Sequence, residues 1–177
     1  VFHDKEREPP LQLWLAQGIS RGERMDYAIQ KSVELGVSRI IPLFTEHCGV
    51  RINGERLTKR AEHWRGVVVS ACEQCGRNRI PQLDMPTTLA QWLAAPNTGL
   101  RLVLDPDGDH SLAQLSAPAG PATLLIGPEG GLSDQELALA KAASYLGLRL
   151  GPRILRTETA AVAALAAMLG AWGDFRE

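Results

Sequence analysis

Apolar and polar residues change repeatedly along the chain from the spacing of a strand to the spacing of a helix. Short apolar runs predict strands over residues 11–15, 39–44, 100–104, 122–126 and 148–150. Helical spacing predicts helices over residues 21–35, 57–75, 88–94, 133–146 and 158–172, with a short one beginning near Ser111. Strands that alternate with helices in this order predict an α/β protein with a mostly parallel sheet flanked by helices.

Composition agrees with one domain. The 177 residues are 45% hydrophobic and carry a net charge of −1, which is enough apolar material for a single buried core. No apolar run approaches the ~20 residues needed to cross a bilayer, and residues 1–8 lack a signal-peptide pattern. We therefore expect a soluble, cytoplasmic protein without a membrane partner. Because Val1 is not an initiator methionine, the chain is expected to be a processed product or a fragment.

The cysteines raise the question of a metal site. Cys72 and Cys75 have the CxxC spacing of a zinc ligand pair, but the second pair would have to come from His47, Cys48 and His63. An odd number of cysteines without a secretory signal is typical of reduced thiols. We therefore expect free cysteines and no metal.

The small net charge hides a basic segment. From Arg51 to Arg79, seven basic residues accompany three acidic ones. Such a local surplus suits a polyanion such as RNA, but it is also found on the solvated face of a helix. Charge alone leaves both interpretations open.

Two glycine-bearing segments each follow a predicted strand and precede a predicted helix. The first is GPEGG at residues 127–131, and the second is LGPRILRTETA at residues 150–160. Small ligands of α/β proteins dock at such positions, because glycine lets backbone amides approach a ligand closely. Neither segment has the GxxxxGK[ST] or GxGxxG pattern of phosphate and dinucleotide sites. Nucleotide hydrolysis and hydride transfer are therefore disfavoured.

The polar residues of these segments each allow two interpretations. Glu129 either contacts a ligand or places its charge at the N-terminus of the following helix. Arg153 and Arg156 flank an apolar pair that can form the wall of a pocket, with one guanidinium facing RNA or a carboxylate. Alternatively, the segment is an ordinary helix start that Thr157 or Thr159 caps.

Together, "GPEGGLS…E" and "LGPRILRTETAAVAAL", with "AIQKSVELGVSRIIP" at residues 28–42, resemble the 16S ribosomal RNA (uracil-N3) methyltransferases of the SPOUT superfamily. The resemblance covers most of the chain. It implies S-adenosylmethionine as cofactor, a C-terminal deep trefoil knot, a homodimer, and methyl transfer to N3 of a uridine in 16S ribosomal RNA of the small ribosomal subunit. It also implies that residues 1–10 are the remnant or linker of an N-terminal PUA-like domain, followed by a SPOUT methyltransferase domain over residues 11–177.

The resemblance nominates site residues. Those that would bind the cofactor are Leu104, Ile126, Gly127, Glu129, Gly130, Gly131, Leu150, Gly151, Ile154, Leu155, Arg156 and Thr159. Uracil N3 must lose its proton, which calls for a general base or for cations that stabilise the uracil anion. The catalytic candidates are Arg156, Arg77 and Glu129, although Arg77 could equally contact phosphate or form a surface salt bridge. No histidine lies in either segment, so no general base is nominated.

Two other functions stay open. The first is a non-catalytic RNA-binding or ribosome-assembly module on the same fold. The second is a SPOUT methyltransferase of another RNA, acting on transfer RNA or on another atom such as a ribose 2′-oxygen. Mapping of a methylated nucleotide separates these functions.

Overall fold

A seven-stranded sheet forms the centre of the computed structural model, which describes residues 6–176. The strands are β1 (Leu13–Gly18), β2 (Arg39–Phe44), β3 (Gln82–Leu83), β4 (Thr87–Thr88), β5 (Leu100–Leu104), β6 (Ala122–Ile126) and β7 (Leu146–Leu148). The helices are α1 (Glu23–Glu34), α2 (Gly54–Cys75), α3 (Leu89–Ala94), α4 (Asp134–Ala142) and α5 (Thr157–Trp172), and single 3₁₀ turns lie at Leu112–Gln114 and Asp174–Arg176.

The strand order is β3-β2-β1-β6-β5-β7, with β4 also paired to β2, and these strand pairs are parallel. Helices α1, α2 and α5 pack on one face of the sheet, and α3 and α4 pack on the other. In β6, Leu124 and Ile126 face the first layer while Leu125 faces the second. Burial on both faces explains why this strand is apolar apart from Thr123. The predicted α/β class with a parallel sheet is confirmed, and the trefoil knot stays a prediction.

Strands β2, β5 and β6 have the bounds predicted from the sequence. Strand β1 does not: it continues to Gly18 instead of ending at residue 15, since its residues pair with β2 on one side and with β6 on the other. The buried polar residue Gln17 interrupts the apolar pattern there. Strands β3 and β4 were not predicted, because two residues are too few to show a period.

The boundary between α4 and β7 was predicted wrongly. The helix predicted over residues 133–146 ends at Ala142, and the strand predicted over 148–150 lies at Leu146–Leu148. Ser144 has a φ of 64°, a left-handed conformation that ends the helix, and the next residues pair with β5. The apolar spacing continues across this turn, so periodicity did not locate it.

The final helix was predicted to be buried by neighbours or by a second subunit. Its buried side chains, which include Ala161, Leu165 and Met168, lie in the same core cluster as Ile29 and Val33 of α1. The buried face of α5 is therefore covered by other residues of this chain. Within residues 6–176, no helix is both long and apolar enough to cross a membrane.

Candidate functional site

A cavity of about 530 Å³ opens at the carboxyl ends of β5, β6 and β7. Its volume is typical of small-molecule sites, which span roughly 300–1,000 Å³. The carboxyl edge of a parallel sheet is also where such sites occur, because the loops that follow the strands converge there. The cavity is lined by residues 104–106, 126–132, 150–151 and 153–158, with Arg24, Leu137 and Ala160.

The two glycine-bearing segments thus meet in one cavity. Every residue predicted to bind the cofactor lines it except Thr159, which is exposed. Its neighbours Glu158 and Ala160 line the cavity instead. Successive residues of a helix point in different directions, since a turn takes 3.6 residues. Thr159 therefore faces away although it belongs to the right segment.

The first loop is closed by the conformation of its glycines. The Gly131 amide donates to the Pro128 carbonyl at 2.9 Å, and Gly131 has a φ of 71° in the left-handed region. A Cβ on Gly127 would lie 2.7 Å from the backbone nitrogen of Leu132. The loop therefore requires glycine at 127 for close approach and favours it at 131 for its backbone angle.

Hydrogen bonds join this loop to the start of α5. The Thr157 hydroxyl donates to the Gly127 carbonyl at 2.6 Å, and Nε2 of the buried Gln17 donates to the Thr157 hydroxyl at 2.9 Å. The expectation that Thr157 or Thr159 caps α5 is wrong, because the N-cap residue is Arg156 and no side chain caps it. Thr157 instead holds the two loops together.

Glu129 faces the start of α1. Its Oε1 accepts a hydrogen bond from the Arg21 amide at 2.9 Å and another from Arg24 at 3.1 Å. Burial raises the pKa of Glu129, but these hydrogen bonds outweigh burial and hold the pKa below its usual value. Helix α4 is capped by its own Ser133–Glu136 capping box, as predicted. The observed partners of Glu129 therefore belong to the start of α1, and its contact with a ligand stays a prediction.

We expect Glu129→Gln to lower the free energy of unfolding at pH 7 by about 1 kcal/mol, because an amide is a weaker acceptor and does not attract Arg24. The folded-state pKa of Glu129 lies below its unfolded value of 4.5. The stabilisation is thus present above that value and is lost as the pH falls through the folded-state pKa. Urea unfolding of wild type and Glu129→Gln at decreasing pH measures the difference in their free energies of unfolding. A difference that persists in acid would contradict the prediction.

Three charged residues of the cavity were not predicted: Arg24, Asp105 and Glu158. Asp105, interpreted from the sequence as part of a turn, is 4% exposed. It accepts a hydrogen bond from the Asp107 amide at 3.0 Å and pairs with Lys141 at 3.2 Å. A carboxylate directly after a buried strand was the signal that could have located it. Arg24 belongs to α1, distant in sequence from both segments, so no local pattern indicated it.

Arg77 does not line the cavity. Its side chain is 4% exposed, pairs with the Glu8 carboxylate, and donates to the carbonyls of Val33 and Val37, both at 2.9 Å. A buried guanidinium with these partners is not available to a substrate in this chain. The interpretation of Arg77 as a catalytic group or a phosphate contact is therefore replaced by a structural one: it ties the segment before β1 to the end of α1.

The other predicted arginines lie at the mouth of the cavity. Arg153 and Arg156 are exposed and line it, and among residues 6–176 neither side chain has a hydrogen-bond or ion-pair partner. Beside them Ile154 is 86% exposed. Two unpaired cations next to apolar surface can bind an anion or a flat, electron-rich ring.

The cysteines are free thiols. Burial raises the pKa of the Cys72 thiol, which keeps it protonated. His63 Nε2 lies 2.7 Å from Oδ2 of Asp26, and His47 Nδ1 lies 3.0 Å from the Gly130 carbonyl oxygen. In the described part of the chain, no group of three or more His, Cys, Asp or Glu side chains could hold a metal ion.

The parallel sheet, with a cavity of small-molecule size between the loops at its carboxyl edge, defines an α/β protein that binds a small ligand. Residues 7–169 match the family described as RNA methyltransferase domain, and the chain belongs to this family.

Several similar proteins are named ribosomal RNA small subunit methyltransferase E. The protein of that name from Buchnera aphidicola subsp. Schizaphis graminum is 40% identical over 171 residues, which cover 96% of this chain and 70% of the relative. The Bacillus subtilis protein is 30% identical, covering 93% of this chain and 68% of its own length. A crystal structure of the Neisseria gonorrhoeae protein bound to S-adenosyl methionine has 41% identity and a TM-score of 0.91, covering 98% of this chain and 71% of that one.

Proposed function

We propose that this protein transfers the methyl group of S-adenosylmethionine to N3 of a uridine in 16S ribosomal RNA, within the small ribosomal subunit. The observation that carries the proposal is the meeting of the two glycine-bearing loops in one cavity of small-molecule size. The similar proteins support the cofactor and methylation of small-subunit RNA. The N3 position rests on the resemblance of the two loops to the uracil-N3 methyltransferases.

The cavity fits the cofactor in its chemistry. Strands β5 and β6 end at Leu104 and Ile126, and Leu150 lies just after the adjacent β7. Together with Leu155, these residues offer an apolar surface to an adenine ring. The glycines of residues 127–131 leave backbone amides and carbonyls accessible. S-adenosylmethionine, when bound, supplies a methyl group already activated by positively charged sulfur. The protein therefore mainly has to position the uracil and manage its N3 proton.

Loss of the N3 proton leaves negative charge on the uracil oxygens. A cation at the cavity mouth stabilises this charge as it develops. Arg156 meets the requirement, because its guanidinium is exposed beside the cavity and has no partner among residues 6–176. We therefore keep Arg156 as the cation that faces the uracil.

Arg156→Ala is expected to lower kcat for RNA methylation by roughly 100-fold while the affinity for S-adenosylmethionine is retained. Single-turnover methyl transfer and calorimetric titration measure the two quantities. Arg149→Ala serves as the matched control, since Arg149 is exposed at the end of β7 but does not line the cavity. Equal turnover in the Arg156 and Arg149 variants would contradict a catalytic role for Arg156 and indicate a structural one.

The basic segment supports an RNA substrate. On α2, Arg56, Arg60 and Arg65 have no ion-pair partner among residues 6–176, so their charge is available to phosphates. We further propose that residues 1–10 are the remnant or linker of a PUA-like domain, that a second copy of the chain completes the site, and that the protein acts in the cytoplasm. Of the domain remnant, residues 1–5 lie outside the described residues.

The test is a methylation assay with labelled S-adenosylmethionine on 16S ribosomal RNA and on small subunits, followed by mapping of the modified nucleotide. A methyl group at N3 of one uridine is the expected result. RNA binding without methyl transfer would favour the ribosome-assembly module. Label on transfer RNA, or on a ribose 2′-oxygen, would favour a methyltransferase of another RNA.

A further inference from the structure

Glu158, the second residue of α5, lines the cavity, and its two carboxylate oxygens have different surroundings. Its Oε1 lies 3.9 Å from Nε of Arg24. Its Oε2 is buried and has no hydrogen-bond partner among residues 6–176. Burying a carboxylate oxygen without a donor costs free energy. An oxygen left in this state, on a residue that lines a ligand cavity, indicates that a bound ligand supplies the donor.

The other two carboxylates that line the cavity within residues 6–176 have protein donors. Glu129 accepts from the Arg21 amide and from Arg24, and Asp105 accepts at both oxygens from Asp107 and Lys141. Neither has a buried oxygen without a partner. Glu158 thus differs from both in having a buried acceptor that the protein leaves free.

We propose that Glu158 is the general base that removes the N3 proton of the target uracil, an inference that rests on the proposed function. The N3–H bond breaks and its proton passes to Oε2, while the N3 electron pair forms the new bond to the methyl carbon. The bond between that carbon and sulfur breaks, and its electron pair stays on sulfur. The positive charge of the sulfonium and the negative charge of the carboxylate disappear together, leaving a thioether and a carboxylic acid.

The surroundings of Glu158 suit this role. Arg24 beside Oε1 carries the opposite charge and orients the carboxylate. Arg24 itself is a positioning residue, because it acts through the carboxylate that it orients.

Glu158→Gln keeps the size of the side chain and removes the base. We expect kcat for methylation of 16S ribosomal RNA to fall by roughly 100- to 10,000-fold, while calorimetry shows an S-adenosylmethionine Kd within about twofold of wild type. The rate of the variant should rise about tenfold per pH unit in mildly alkaline buffer, since the uracil must then ionise without help. The wild-type rate should stay nearly flat over the same range.

A second readout uses RNA transcribed with 5-fluorouridine, because fluorine makes the N3 proton more acidic. The Glu158→Gln variant should recover most of its lost activity on this RNA, whereas wild type should gain little. Glu129→Gln is the matched control, since it is the same change at a neighbouring carboxylate whose Oε1 has protein donors. Its activity should show no selective recovery with 5-fluorouridine.

Weakened S-adenosylmethionine binding in Glu158→Gln would overturn the proposal, because it would indicate that Oε2 accepts a hydrogen bond from the cofactor. Lost activity without recovery by alkaline pH or 5-fluorouridine would also overturn it and assign Glu158 a structural role. Wild-type protein that binds S-adenosylmethionine but methylates no uridine would instead contradict the proposed function. The failures of the two proposals are therefore distinguishable.

Discussion

Gly131→Val is expected to abolish measurable binding of S-adenosylmethionine while the fold is retained. Gly131 lines the cavity, and a Cβ built on it meets no protein atom within 4 Å. A valine side chain would therefore extend into the space that the ligand needs and displace it from the backbone it contacts. We expect the affinity to fall at least about 100-fold, which corresponds to roughly 2.7 kcal/mol. Calorimetric titration of both proteins measures the loss.

Gly54→Val tests whether the loss of cofactor binding comes from a blocked cavity or from backbone strain. Gly54 also has a positive φ, 54° against 71° for Gly131, and a Cβ there likewise meets nothing within 4 Å. Both variants force a β-branched residue into a left-handed conformation, which costs about 1–3 kcal/mol of stability. Gly54 begins α2, away from the cavity, so its variant should bind the cofactor like wild type. Normal cofactor binding by Gly131→Val would contradict the assignment of the cofactor to this cavity. An equal loss of affinity in both variants would also contradict it.

Those parts of the fold that depend on local pattern were predictable. The central residues of β2, β5 and β6 are buried, so each strand is mostly apolar and has clear ends; the exceptions are Arg39, Arg101 and Thr123. The end of α4 was not predictable, because a left-handed Ser144 interrupts the helix while apolar spacing continues into β7. Strand pairing also extended β1 past the polar Gln17. In both cases tertiary contacts outweighed the local pattern.

The candidate site shows the same division. Its two loops were found because each carries its glycines and its apolar residues within one short segment. Arg24 was missed because it reaches the cavity from α1, and only the folded chain brings it beside Glu129. Glu158 was quoted within the second segment but not selected, since an acidic residue at the start of a helix is usually explained by the helix dipole. Its unpartnered oxygen is a property of the packing, which no sequence pattern contains.

Arg77→Ala is expected to lower the free energy of unfolding by about 3 kcal/mol, because it removes a buried guanidinium and leaves the largely buried Glu8 carboxylate without its partner. Glu8 has a side-chain exposure of 16%. The substitution also removes the donor to the Val33 and Val37 carbonyls. Chemical unfolding by urea measures the change. If the variant remains folded at low temperature, its affinity for S-adenosylmethionine should equal that of wild type, because Arg77 does not line the cavity.

Arg79→Ala tests whether burial is responsible for this expected loss. Arg79 pairs with Glu6 at 3.0 Å in the same part of the molecule, but the two side chains are 74% and 52% exposed. Water solvates both charges and salt screens them, so removal of one should change the stability by less than about 1 kcal/mol. A similar loss in the two variants would contradict the structural role of Arg77. A wild-type-like stability in Arg77→Ala combined with lost methylation would return Arg77 to the catalytic candidates, acting in the site of a second copy of the chain.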